Sequence, residues 1–213
     1  MLAQIDKVYV INLAHRVDRR LQLERQMEFL PSLKNRLQIV TAVDGNQIQN
    51  HSKLNNGELG CAMSHIGIWK DALANKYNTI LVFEDDVILD EKFEEKLSNL
   101  LAEIRSNFDW LYLYNTWDYR PVEPFSDAFV KVIASLGMQA YIIRTDAISR
   151  LMPFAEEFEF AIDVVMGHMS FLSKVYRPKI VFVRHDENSK SSIRQNISTK
   201  SKIIKMKNKL GIK

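Results

Sequence analysis

Three consecutive carboxylates, Glu84-Asp85-Asp86, follow directly on the apolar run Thr79-Ile80-Leu81-Val82-Phe83. A continuous apolar run of that length predicts a strand covered on both faces, as in a parallel sheet. Acids at the carboxyl end of such a strand sit where open α/β sheets bind ligands. Side chains alternate along a strand, so Glu84 and Asp86 are expected to point one way and Asp85 the other. Two hard oxygen donors converging there suit Mn²⁺ or Mg²⁺ and leave coordination positions for substrate phosphates. The plainer reading is a solvated acidic turn. The absence of any basic residue inside the triplet favours the metal.

Other residues could complete such a site. Arg16, Arg19 and Arg20 fall within one helical turn after the run Val8-Tyr9-Val10-Ile11-Asn12-Leu13. Guanidiniums bind oxyanions through paired donors and suit a diphosphate. They are also badly placed against the dipole of a helix start, which tilts at least one towards function. Gly57-Glu58-Leu59-Gly60-Cys61-Ala62-Met63-Ser64-His65 brings small residues into a helix and would let backbone approach closely, but it matches neither a dinucleotide fingerprint nor a P-loop. On spacing alone His65 reads as a hydrogen-bonded core histidine. His185, after Ile180-Val181-Phe182-Val183, could reach the same sheet edge and join Glu84 and Asp86 around the metal. Asp163 precedes an apolar helical run, where an N-cap is the common role.

The elements that must position these residues alternate. Strands are expected at 8–13, 37–42, 79–83, 110–114, 129–133 and 139–143, with one or two more over 175–183 around Pro178. Helices are expected after Arg20, with Leu21, Leu23, Met27 and Leu30 on the apolar side, then over 58–74, 91–104 and 162–172. Another helix runs from a cap at Asp146 to Met152, limited by Pro153. Residues 115–127, with two prolines and three aromatics, read as a long surface loop of the functional kind. Alternating strands and helices predict an α/β fold with a mainly parallel sheet.

Composition sets the outer bounds. The 213 residues suffice for one sizeable core, and a 46% apolar, 26% charged chain is that of a soluble globular protein. Cys61 is the sole cysteine, so no disulfide framework exists, and a reducing, cytoplasmic compartment is expected. No run approaches the roughly 18 apolar residues of a membrane span. The net charge of +3 conceals a split: six lysines over 200–213 carry +6, leaving −3 elsewhere. With Ile203, Ile204, Met206, Leu210 and Ile212 among them, that tail suits an anionic membrane surface, the inner face of the cytoplasmic membrane. No nucleic-acid motif is visible, and nucleic acid is not an expected partner.

Taken together these segments resemble glycosyltransferase family 25, the lipopolysaccharide and lipooligosaccharide sugar transferases. The matching blocks are Val10-Ile11-Asn12-Leu13 with Arg16, Asp18, Arg19 and Arg20; Thr41-Ala42-Val43-Asp44-Gly45; Gly57 to His65; and Ile80 to Val87. Weaker ones follow at Ala140-Tyr141-Ile142-Ile143, Ile162-Asp163 and Ser191-Ser192-Ile193. The resemblance implies a GT-A-like (Rossmann-like) fold over residues 1–199, with the basic tail appended. It implies transfer of a hexose, galactose first, from a UDP-sugar to a hydroxyl of a lipid-linked or free oligosaccharide, with inversion. Mn²⁺ or Mg²⁺ would be held by Asp86, Glu84 and His185. The nucleotide-sugar would be bound by Asn12, Leu13, Arg16, Arg20, Asp44, Gly60, Ser64, His65, Glu84 and Asp85. Asp163 is the expected catalytic base, with Asp118 and Glu123 as alternatives, and Trp117 and Tyr119 are expected to stack on acceptor sugars. A metal-dependent phosphoester hydrolase and a non-catalytic sugar- or nucleotide-binding protein are the competing readings.

Overall fold

The structure, a computed structural model, describes residues 2–186. The basic tail and the Ser191-Ser192-Ile193 block lie outside the described residues. In chain order the strands are β1 (Lys7–Asn12), β2 (Leu37–Thr41), β3 (Thr79–Glu84), β4 (Val87–Leu89), β5 (Trp110–Tyr114) and β6 (Trp117–Asp118). They continue with β7 (Glu123–Pro124), β8 (Phe129–Lys131), β9 (Ser135–Leu136), β10 (Ala140–Arg144), β11 (Val175–Pro178) and β12 (Val183–His185). The helices are α1 (Val17–Gln26), α2 (Asn56–Ala74), α3 (Phe93–Ile104), α4 (Thr145–Ala155) and α5 (Ile162–Met169).

The main sheet has the order β2-β1-β3-β10-β5-β11-β8-β7. β8 and β10 run antiparallel to their neighbours, and the remaining six strands share one direction. This is the mixed, mainly parallel sheet flanked by helices that a GT-A-like domain requires. The sheet is covered on both faces, as its apolar strands predict. Tyr9, Ile11, Ile80 and Val82 pack with α2, α4 and α5, whereas Val8, Val10, Leu81 and Phe83 pack with α1 and α3. β1 lies between β2 and β3, and the helix after β1 packs on one face while the helix after β2 packs on the other, which opens a crevice at the carboxyl ends of these strands.

Three local expectations are corrected. Leu21 is exposed, because the inward stripe of α1 is Arg19, Leu23 and Gln26, spaced four and three residues apart. Two of those three are polar: Gln26 donates to the Val87 carbonyl at 3.0 Å and accepts from the Leu89 N–H, so this helix docks β4 by hydrogen bonds. Arg144, not Asp146, occupies the α4 cap without a side-chain bond, and the helix continues two residues past Pro153. α2 begins at Asn56, earlier than expected, because Asn55 and Glu58 form a reciprocal capping box.

The start of α2 also carries the closest backbone packing near the crevice. A Cβ on Gly45 would lie 1.7 Å from the Asn56 carbonyl oxygen, and one on Gly60 would lie 2.5 Å from that of Val43. No side chain fits between the loop after β2 and this helix. Gly45→Ala is therefore expected to destabilise the fold by about 2 kcal/mol or more through overpacking, read as a lower urea midpoint with an unchanged slope.

Candidate active site

β3 ends at Glu84, and Asp85 and Asp86 form the turn into β4. Glu84 follows Ile80 and Val82 towards α2, where its Oε1 lies 3.3 Å from His65 Nε2. Asp85 turns to the opposite face. Arg19 Nη1 donates to its Oδ1 at 2.6 Å and Asn12 Nδ2 to its Oδ2 at 2.7 Å. The expected alternation stops there, since turn residues leave the pleat. Asp86 Oδ2 lies 3.2 Å from the same Arg19 nitrogen and 3.3 Å from His185 Nε2. Asp85 and Asp86, rather than Glu84 and Asp86, thus share a partner.

This network is buried: Arg19 and Asp85 are each 6% exposed and Asp86 is 9%. Charges removed from water to that degree persist only when closely paired. Asp86 is incompletely paired, because its Oδ1 is buried with no hydrogen-bond partner. Burial, and then the neighbouring Glu84 charge, pushes its carboxyl up to about 6, against the opposing pull of Arg19 and His185. His185 arrives through the β4–β12 ladder, which sets it opposite Val87, and its ring stacks on Tyr114 with centroids 6.2 Å apart.

A cleft of about 620 Å³ opens over this turn. Arg19, Glu84, Asp85, Asp86, His185 and, across from β3, Asp163 line it. So do Leu13, Asp44, Ser64 and His65. Asp44 caps a short turn by accepting from Asn46 N–H, and Ser64 accepts from Val43 N–H while donating to the Gly60 carbonyl. Gly60 lies behind that wall as packing, and Asn12 lies beneath it as the partner of Asp85. Of the three arginines, Arg19 alone is among the lining residues. Arg20 pairs with Glu24 on the exposed side of α1, whereas Arg16 donates two bonds to Asp18 and stays close enough to Asp85 and Asp86 to feel their charge.

Asp163 is the second residue of α5, half-buried rather than an N-cap, and its Oδ2 accepts the Gly137 N–H at 3.2 Å. Burial raises its pKa, while the Gly137 and Val164 N–H groups oppose that rise. Gly137 has φ +82°, and a Cβ there would meet Thr116, so only glycine presents its N–H in this way. The other two candidate bases are elsewhere: Asp118 pairs with Arg177, and Glu123 is exposed at the β7 edge. Trp117 lines the cleft and is 50% exposed, whereas Tyr119 is half-buried with its hydroxyl 3.2 Å from His168 Nδ1. Gln139 and Thr116, hydrogen-bonded to each other at the rim, are lining residues that no sequence pattern marked.

Two places offer cation ligands. Cys61, His65 and Glu84 bring a thiol, an imidazole and a carboxylate within 4.8 Å of one another. Burial and the surrounding carboxylates push the Cys61 thiol up and hold it protonated, which opposes a thiolate site. Asp86 with His185 fits better: the carboxylate has a bare buried oxygen, and an oxygen–imidazole donor set suits Mn²⁺. Glu84 lies near enough to raise the Asp86 pKa while bonding His65.

The folded pKa of Asp86 exceeds the ordinary 3.8, so ionising it costs more in the fold than in the unfolded chain. Its contribution to stability is most favourable below pH 3.8 and is lost as pH rises to about 6. Asp86→Asn is therefore expected to stabilise the metal-free protein at pH 7.5 by on the order of 1–3 kcal/mol. The advantage should disappear near pH 4, as measured by urea unfolding at the two pH values.

The chain is 32% identical over 180 residues to the procollagen lysyl hydroxylase and glycosyltransferase of Acanthamoeba polyphaga mimivirus, covering 70% of this chain and 19% of that protein. It is 30% identical over 129 residues to procollagen galactosyltransferase 2 of Mus musculus, covering 51% and 20%. It is also 29% identical over 158 residues to the inactive glycosyltransferase 25 family member 3 of Homo sapiens, covering 64% and 25%. The chain thus spans about a fifth to a quarter of the length of these curated relatives. The family model described as glycosyltransferase family 25 (LPS biosynthesis protein) matches residues 5–136, well over half of the sequence. On that match, which includes β1, the start of α2 and the acidic turn, the chain belongs to glycosyltransferase family 25.

Proposed function

We propose that this chain is a metal-dependent, inverting glycosyltransferase that moves a hexose, galactose first, from a UDP-sugar to a hydroxyl of an oligosaccharide acceptor of the lipooligosaccharide or lipopolysaccharide class. One observation carries the reading: Asp86, with its bare buried oxygen, and Asp163, held by the Gly137 N–H, line the same cleft. Family membership and the name galactosyltransferase borne by relatives support the reaction class and the sugar.

Asp86, with His185 and Glu84 beside it, would hold Mn²⁺ or Mg²⁺, which supplies Lewis-acid stabilisation to the charge on a departing nucleotide diphosphate. Arg19 adds a fixed guanidinium at the same wall, oriented by its bond to Asp85. Asp163 accepts the proton of the attacking hydroxyl, and its raised pKa makes it a stronger base than a solvated aspartate. Trp117 offers an exposed indole face at the rim, on which an acceptor sugar stacks. A lipid-borne acceptor gives the lysine tail a purpose at the cytoplasmic face of a membrane. No described helix is long and apolar enough to cross one.

A relative named inactive keeps a second reading in play, that of a binding protein without turnover. Incubation with UDP-galactose, UDP-glucose and UDP-N-acetylglucosamine, Mn²⁺ and truncated oligosaccharides separates the two by mass spectrometry of the acceptor. A hexose added to the acceptor is the expected result. Release of nucleotide alone would indicate a hydrolase, and nucleotide binding without turnover would indicate the non-catalytic protein. Asp163→Asn is expected to lower kcat by about 10²- to 10⁴-fold while retaining UDP binding. Asp86→Ala is expected to abolish turnover in a chain whose circular dichroism is unchanged.

A further inference from the structure

Behind Glu84 lies a chain of hydrogen bonds through fully buried groups. Trp69 Nε1 donates to Tyr141 Oη at 3.0 Å, Tyr141 Oη lies 2.9 Å from His65 Nδ1, and His65 Nε2 lies 3.3 Å from Glu84 Oε1. Trp69 and Tyr141 are 0% exposed and His65 is 1%. These elements come from separate parts of the chain: Trp69 and His65 stand one turn apart on α2, Tyr141 is on β10, and Glu84 ends β3.

Proton accounting fixes the direction of this chain. The indole nitrogen is donor only, so the Tyr141 oxygen accepts from it. Burial drives the tyrosine pKa well above its ordinary value, so the hydroxyl keeps its own proton. The Glu84 carboxylate beside Nε2 only accepts, which calls for the imidazole proton on Nε2 and leaves Nδ1, 2.9 Å from the tyrosine oxygen, to take up the hydroxyl proton. A neutral imidazole that accepts at Nδ1 carries its proton at Nε2, and Nε2 faces the Glu84 carboxylate. We propose that Trp69 and Tyr141 lock His65 as an Nε2–H donor, and that His65 thereby acts as a positioning residue, holding the Glu84 carboxylate aimed into the cleft to accept hydroxyl groups of a bound nucleotide-sugar. The same accounting removes the imidazole lone pair that a cation among Cys61, His65 and Glu84 would need. The inference rests on the donor-binding reading of the cleft and adds how one wall of it is kept in place.

The test joins a spectroscopic arm to a binding arm on the full chain. Long-range ¹H–¹⁵N spectra of the wild type should give His65 a protonated Nε2 and a bare Nδ1, and the reverse pattern would overturn the lock. For binding, His65→Leu, which has no donor, is compared with His65→Gln, whose amide nitrogen can replace Nε2. UDP affinity by calorimetry should fall about tenfold in the leucine variant and less than about threefold in the glutamine variant, with the donor KM rising in parallel. In a Glu84→Gln background, His65→Leu should cause no further loss, because its effect passes through that carboxylate. Equal affinity in all variants, or additive losses, would refute the positioning role while leaving the transferase reading intact. UDP binding that follows the expected pattern without sugar transfer would refute the transferase reading and leave this inference standing. Failure of the wild type to bind UDP would overturn both.

Discussion

One buried guanidinium holds the working end of this molecule together. Arg19 reaches both Asp85 and Asp86 with a single nitrogen, and all three side chains are nearly withdrawn from water. Two adjacent carboxylates in that environment would repel and take up protons without a cation between them. Their partners come from dispersed segments: Asn12 at the end of β1, Arg19 on α1 and His185 on β12. Closing the network fixes the mutual positions of the first, third and last described strands of the site.

The network is less than fully compensated, and this links structure to chemistry. Asp86 retains a buried oxygen without a partner and a carboxyl that burial pushes up to about 6. A well-packed apolar turn would serve stability better, since buried charge is weak evidence for stabilisation and often the reverse. Sites that must bind cations or charged ligands draw on such unspent interaction energy, so stability and function pull in opposite directions here. Glu84 illustrates the complementary solution, a carboxylate at the end of β3 anchored by a buried histidine ring nitrogen.

The topology explains why these groups share one cleft. β1 and β3 are parallel neighbours, and the helices after β1 and β2 pack on opposite faces, so the carboxyl ends of these strands open into a crevice. Opposite them, the antiparallel β10 begins where β3 ends, with Ala140 paired to Phe83. That reversal brings Gly137, Met138 and Gln139 to the rim, and Gly137 in turn holds Asp163 on the far wall. The walls that carry Glu84 and Asp163 are therefore supplied by segments far apart in the chain, the end of β3 and the start of α5.

How much of this could be read from residue order depends on how locally each feature is specified. The apolar run before Glu84 announced a buried strand with acids at its tip, and the C-terminal end of α2 at Ala74 followed from its own pattern. The positioning of Asp85 opposite Glu84 followed from a two-residue period. That logic failed one residue later, because Asp86 lies in a turn and its direction depends on α1 and β12. The inward face of α1 was misread for a related reason: amphipathic reasoning looks for apolar stripes, and this helix turns Arg19 and Gln26 inward to satisfy the turn and the β4 backbone. Nothing near His185 in the sequence refers to Val87, and nothing near His65 refers to Tyr141. The sequence by itself determined the long strands and helices of the main sheet and where the carboxylates stand along the chain. Only the tertiary structure decided which arginine meets them, which tyrosine backs His65 and which histidine reaches Asp86, since those choices depend on contacts between residues 66, 76 and 99 positions apart.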